Sequence, residues 1–200
     1  MTITYELGNA LYVNLTNKCS NDCSFCLRNN HSDVNGEDNL WLDREPTVEE
    51  IKADFLKRDM KKYDSVVFCG FGEPLERFDD VITVGKWLKE AYGIKIRVNT
   101  NGQANLIHKR DVTPEMEGVI DSVSISLNTD NPKEYQEICK SIFGEEAFFA
   151  LQEFGKRAAK YVPEVIFSVV DTTISPQQIE NCRKIAEDCG VKFRLREYIE

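Results

Sequence analysis

The chain has 200 residues, with 25 Lys and Arg against 34 Asp and Glu, a formal net charge of −9. At 42% hydrophobic and 30% charged residues it is composed like a globular domain long enough to bury a core, and one domain over residues 1–200 is expected. The acidic balance argues against broad nucleic-acid binding. No stretch approaches the roughly 18 uninterrupted apolar residues of a membrane span, and the first residues, MTITYELGNALYV, lack the basic start and apolar run of a signal peptide, so a cytoplasmic location is expected.

Along the chain, apolar runs alternate with amphipathic stretches, the rhythm of βα units with buried parallel strands. The predicted strands are Leu11–Leu15, Ser65–Cys69, Ile94–Asn99, Ser122–Leu127, Val165–Val170 and Lys192–Arg196. Thr47 to Glu50 reads as a capping box just after Pro46, opening a helix to about Met60. Further helices are expected from near Glu76 to Ala91, Pro132 to Ser141, Glu145 to Tyr161 and Pro176 to Cys189, with Gly93 and Gly190 as C-caps of two of them. This alternation predicts an α/β fold with a parallel sheet and outer helices. Six strands fall short of a complete eightfold barrel, so a doubly wound sheet and an incomplete barrel both fit; in either, chemistry sits at the carboxyl ends of the strands. Residues Asn29 to Glu45 break the rhythm: they read as a long polar loop of the kind that carries function, with Leu40, Trp41 and Leu42 packing its far end down.

Seven cysteines are present, an odd number, and three of them fall within eight residues, which favours metal or cluster ligation over disulfides. Cys19, Cys23 and Cys26 form C-x3-C-x2-C directly after the first predicted strand. Three thiolates on one loop can hold three irons of a four-iron cube and leave the fourth open for chemistry. The alternative is a zinc site completed by His31.

With an aromatic residue, Phe25, just before the third cysteine, this motif resembles that of the radical S-adenosylmethionine (SAM) superfamily. The likeness continues at later strand ends. Cys69-Gly70-Phe71-Gly72-Glu73-Pro74 is similar to the family's G-G-E-P segment, with Phe71 as a departure; Asn99-Thr100-Asn101-Gly102 is similar to T-N-G; and Ser124-Ile125-Ser126-Leu127-Asn128 is similar to S-L-D, with Asn128 in place of Asp. The resemblance covers roughly residues 10–200 and implies an incomplete (β/α)6 TIM-like barrel. It also implies a [4Fe-4S] cluster on Cys19, Cys23 and Cys26, with SAM on the open iron. Glu73 would hold the SAM ammonium, Gly70 and Gly72 would allow close backbone approach, Thr100, Ser126 and Asn128 would meet its carboxylate or ribose, and Phe25 would lie against the adenine. The implied reaction is reductive cleavage of SAM to methionine and a 5′-deoxyadenosyl radical that takes a hydrogen atom from a substrate, with flavodoxin or ferredoxin as electron donor and activity confined to anoxic conditions. The segments NLWLDREPTVEEI and SVVDTTISP…REYIE resemble the small radical SAM proteins associated with TatD-type hydrolases. A small-molecule substrate, a glycyl-radical partner protein, and a non-catalytic iron–sulfur or zinc protein are the readings left open.

Among the remaining candidates, Arg194 and Arg196 share one face of the last strand and, if that face points inward, offer a guanidinium to a carboxylate or phosphate. Asp171, after the fifth predicted strand, is a similar candidate for substrate contact. Cys69 could donate a hydrogen atom, and Cys182 and Cys189 share a helix face, but small buried residues are the preferred reading for all three. No cysteine-rich segment follows Cys189, which disfavours an auxiliary cluster. His108 is expected on the solvated surface.

Overall fold

The computed structural model describes residues 1–29, 31–33, 39–171 and 174–196. It opens with a hairpin: β1 (Thr4–Leu7) and β2 (Ala10–Val13) pair antiparallel, with Leu7 opposite Ala10 and Gly8 at φ 59° in the two-residue turn. β1 is absent from the six expected strands because TYEL is short and half polar, although Gly8-Asn9 is a hairpin-turn signal. The remaining strands are β3 (Ser65–Phe68), β4 (Lys95–Thr100), β5 (Ser122–Ser126), β6 (Glu164–Val170) and β7 (Lys192–Arg196). All seven form one sheet in chain order, and β2 through β7 pair parallel. Because the order never reverses, there is no switch point of the doubly wound kind. The result is an incomplete barrel, open between β1 and β7.

The crossovers carry α1 (Val48–Phe55), α2 (Phe78–Tyr92), α3 (Ala104–His108), α4 (Pro132–Cys139), α5 (Glu146–Ala158) and α6 (Pro176–Asp188). The capping box forms as expected, with Thr47 accepting from Glu50 N and Glu50 accepting from Thr47 N. The helix it opens stops at Phe55, well short of Met60, because Asp59 caps a separate 3-10 turn, Met60–Lys62. α3 and a 3-10 turn at Thr113–Met116 occupy the β4–β5 connection, where no element is predicted; both are too short to show a helical period. Gly93 and Gly190 follow α2 and α6 at φ 61° and 68°, as helix ends require.

One face of the sheet builds the core. Leu11, Val13, Phe68, Ile96, Val98, Ile125 and Phe167 are fully buried on it, under Val81, Leu88, Leu151 and Phe154 of the helices. The alternate residues of the same strands point the other way and are mostly polar: Tyr12, Arg97, Asn99, Ser124, Ser126 and Ser168, with Val170, line a cavity of about 460 Å3 inside the open barrel. A strand that is apolar outside and polar inside encloses a site and leaves its helices to supply the packing.

Candidate functional site

The cysteine loop leaves β2 and is fastened from three sides. Backbone bonds tie it to the end of α4, with Asp22 N donating to Cys139 O at 3.0 Å and Ser24 N to Ile138 O at 2.9 Å. Ser20 O accepts from Ile142 N at 2.9 Å. Beneath it, the fully buried Gln103 is a four-way hub. Its Oε1 accepts from Ser20 and Ser141, both at 2.9 Å, and its Nε2 donates to Asn21 Oδ1 at 2.8 Å and to the Tyr135 hydroxyl at 3.0 Å. Asn101 Nδ2 adds a bond to Ser20 Oγ at 2.8 Å. A buried amide with every position satisfied specifies one geometry. Gln103 sits one residue past the NTNG segment, so the sequence marks its neighbourhood but not its role. Arg28 closes the loop on itself, donating to Asn17 O at 3.3 Å and Asn21 O at 3.4 Å.

Cys19, Cys23 and Cys26 are half-buried and line the mouth of the cavity. Among the described residues, no three His, Cys, Asp or Glu side chains close on a single ion, and His31 joins no such group. Burial and the neighbouring Glu73 carboxylate push the Cys19 thiol up to about 12, and burial also raises Cys26. Donors reach the Cys19 sulfur from Asn21 N at 3.4 Å and Asn101 Nδ2 at 4.0 Å. Cys23 has a partner the spacing does not reveal: its thiol faces the buried Cys139 of α4, which raises Cys23 while Cys139 is lowered by that contact and by Asn128 Nδ2 at 3.3 Å from its sulfur. The three loop thiols fit a multi-iron cluster chemically, since each would give up its proton to a soft metal.

Facing this loop is the turn after β3. Glu73 is buried, and its carboxylate accepts from Thr100 Oγ1 at 2.7 Å and Leu75 N at 3.0 Å on Oε1, and from Asn101 N at 2.7 Å on Oε2. Burial nevertheless raises its pKa to about 7. Gly70 and Gly72 have a reason to be glycine within the chain itself, beside the expected approach to a ligand. A Cβ on Gly70 would lie 2.1 Å from Asn14 Oδ1, and one on Gly72 would lie 2.2 Å from Thr16 O and 2.5 Å from Lys18 O. Glycine is needed because the turn lies flush on the cysteine loop, with Glu73 N bonded to Lys18 O at 2.8 Å. Phe71, the departure from a plain glycine pair, is buried against Tyr5 and Leu40 and takes the edge of Trp41 at 5.2 Å. The far end of the long loop is thereby packed down as expected; residues 30 and 34–38 lie outside the described part.

The structure brings Phe25, Thr100, Ser126 and Asn128 to the cavity wall with Gly70, Gly72, Glu73 and the three cysteines. Asn128 takes φ 65°, a conformation that Asn tolerates better than most residues, and its buried Oδ1 has no hydrogen-bond partner. Asn99 Oδ1 and Arg97 Nε, from residues lining the same cavity, are also buried and unpartnered. Such orphaned atoms on a cavity wall mark where a ligand would bond.

Arg194 and Arg196 do point inward and line the cavity, with the exposed Leu195 on the opposite face. Asp171 does not join them: its amide donates to Arg196 O at 2.9 Å, and its side chain, one residue beyond the inward-facing Val170, is absent from the cavity wall. Cys69 is on the wall and half-buried, whereas Cys182 and Cys189 pack in the core as expected. His108 departs from expectation. It is half-buried, its Nε2 lies 2.7 Å from Leu75 O, and its ring packs on Phe78 at 5.9 Å, because α3 folds back on the turn after Glu73. The terminal REYIE segment lies outside the described residues from position 197 onward.

Comparison with known proteins agrees with this architecture. The chain is 22% identical over 98% of its length to a probable dual-specificity RNA methyltransferase RlmN 1 of Protochlamydia amoebophila, and 32% identical over 68% of its length to a probable GTP 3′,8-cyclase of Methanocaldococcus jannaschii. It spans only 54% and 41% of those two proteins. Among solved structures, SuiB of Streptococcus suis bound to its precursor peptide SuiA superposes with a TM-score of 0.69 at 19% identity, over 96% of this chain and 40% of that one. The family model of the radical SAM superfamily matches residues 13–184, and the chain belongs to that superfamily.

Proposed function

We propose that this chain is a SAM-cleaving enzyme core in which Cys19, Cys23 and Cys26 hold a [4Fe-4S] cluster with one iron open to SAM. The observation that carries the reading is the contact between the C-x3-C-x2-C loop and the GFGEP turn, which brings three thiols and the buried Glu73 carboxylate to one cavity mouth. When bound, the cluster supplies the electron, drawn from a donor such as flavodoxin or ferredoxin, that splits SAM into methionine and a 5′-deoxyadenosyl radical.

The protein's own residues bind and aim. Glu73 complements the SAM ammonium as a carboxylate already held by Thr100 and the Asn101 amide. Asn128 Oδ1 supplies an unused acceptor, and Ser126 a short hydroxyl, for the ribose or carboxylate. Phe25, packed against the core edge, offers a ring face to the adenine. The substrate that loses a hydrogen atom is a small molecule admitted by the open barrel.

The test is anaerobic reconstitution with iron and sulfide, reduction with dithionite in the presence of SAM, and assay for 5′-deoxyadenosine. Product is expected from the native chain and should be lost in Cys19→Ala, Cys23→Ala and Cys26→Ala. A chain that takes up stoichiometric zinc and binds no SAM overturns the enzyme reading, and full cleavage by any one cysteine variant overturns the ligand assignment.

A further inference from the structure

Asn101 follows β4 in the segment Asn99-Thr100-Asn101-Gly102 and stands between the cysteine loop and the Glu73 turn, with 8% of its surface exposed. Locally it forms an Asx turn, in which its Oδ1 accepts from Gln103 N at 3.0 Å. That bond settles which way the amide points. With the oxygen occupied by its own backbone, Nδ2 and its two N–H groups face the cysteine loop.

The bonds on the loop side agree in direction. Ser20 Oγ lies 2.9 Å from Gln103 Oε1, which can only accept, so the hydroxyl donates there and receives one Asn101 N–H on a lone pair at 2.8 Å. The Cys19 sulfur, 4.0 Å from Nδ2, is the acceptor left for the second N–H. The loop adds its own donor to the same sulfur, Asn21 N at 3.4 Å.

The backbone of Asn101 repeats the pattern, donating to Glu73 Oε2 at 2.7 Å. One residue thus aims a donor at each of two groups that carry negative charge: the thiolate Cys19 becomes when it binds metal, and the carboxylate beside it. Negative charges repel strongly in a half-buried site, so a thiolate next to Glu73 disfavours the arrival of another electron. A hydrogen bond donated to a ligand sulfur draws charge from it and makes reduction easier.

We propose that Asn101 is a positioning residue for the cluster: its side-chain N–H bonds the Cys19 sulfur and raises the reduction potential there, while its backbone N–H holds Glu73 ready for SAM. This rests on the SAM-cleaving reading for the presence of the cluster, and on the bonds of Asn101 itself for the potential.

The experiment reconstitutes the native chain, Asn101→Ser, Asn101→Asp and Ser141→Ala under anoxic conditions. Iron and sulfide are counted per chain, and the cluster is titrated with dithionite without SAM, followed by EPR of the reduced form. Both Asn101 variants keep an acceptor for Gln103 N and lose the donor to sulfur; the aspartate also adds charge. Native iron content is expected in all four. At the native midpoint the ratio of reduced to oxidised cluster should fall about tenfold in Asn101→Ser, a shift of about 59 mV to lower potential for a one-electron couple, and further in Asn101→Asp. Ser141→Ala loosens the same loop through Gln103 at a distance from Cys19 and should leave the potential at its native value. A native potential in both Asn101 variants overturns the proposal. So does an equal shift in Ser141→Ala, which would make the effect one of loop slackness. Loss of iron from both Asn101 variants overturns it as well, since Asn101 would then serve assembly. A native chain that takes up no cluster overturns this proposal together with the SAM-cleaving reading. A cluster with the expected shifts that never yields 5′-deoxyadenosine upholds Asn101 and overturns the cleavage reading alone.

Discussion

Glu73 concentrates the competing forces of this site on one side chain. Three hydrogen bonds favour its ionised form, yet complete burial outweighs them and sets its pKa near 7 against an ordinary 4.5. The folded, unliganded chain therefore retains a proton that the unfolded chain has released. This contribution to stability is intact below about pH 4.5, declines as pH rises towards 7, and is flat beyond it, a loss of about 3 kcal/mol at most. Urea midpoints of the unliganded protein at pH 5 and pH 8 should fall further for the native chain than for Glu73→Gln. Equal slopes for the two would show that Glu73 is already ionised at pH 5. Asn128 combines a left-handed φ of 65° with an orphaned oxygen, the acceptor that the proposed SAM site would use.

At the scale of elements, the site depends on a loop and a turn that touch backbone to backbone. The glycines of GFGEP are legible in the sequence, where the family resemblance assigns them to a ligand; the structure adds that Gly72 packs against the carbonyls of Thr16 and Lys18. Gly72→Ala should cost about 2 kcal/mol by overpacking and should also displace the cysteine loop, so that iron uptake on reconstitution falls. Gly93→Ala provides the contrast. It lies at φ 61° with open space around it, so it should cost about 1 kcal/mol of backbone strain and leave iron uptake unchanged. Equal iron uptake in Gly72→Ala and the native chain would remove the turn from its role in shaping the loop. Gln103 belongs to the same scale: one amide at the end of β4 unites the cysteine loop with α4 and the segment leading into α5.

For the molecule as a whole, chain-ordered parallel strands make a sheet with two edges, and the edges are unlike. β1 turns antiparallel and is covered by Arg58 and Asp54 of the first crossover, which bond Thr4 at 2.7 and 2.6 Å. β7 has one strand neighbour and carries Lys192, Arg194 and Arg196, charges that discourage further strand pairing. Hydrogen–deuterium exchange should find the β7 amides opening well before those of β3 to β5, which have a partner on both sides. Protection of β7 equal to that of β4 would mean that this edge is covered in solution.

The sequence by itself determined the superfamily and most of the element order. Those signals are local: cysteine spacing, caps at Thr47, Gly93 and Gly190, and short polar motifs after apolar runs. Tertiary structure alone decided that the sheet curls without reversing, that Cys139 meets Cys23, that Gln103 secures the loop, that His108 folds inward and that Asp171 stands aside while Arg97 enters the cavity. Each of these depends on which residues from distant strands come to face one another. Strand alternation gives every residue a face, but only the assembled barrel shows which face encloses the cavity.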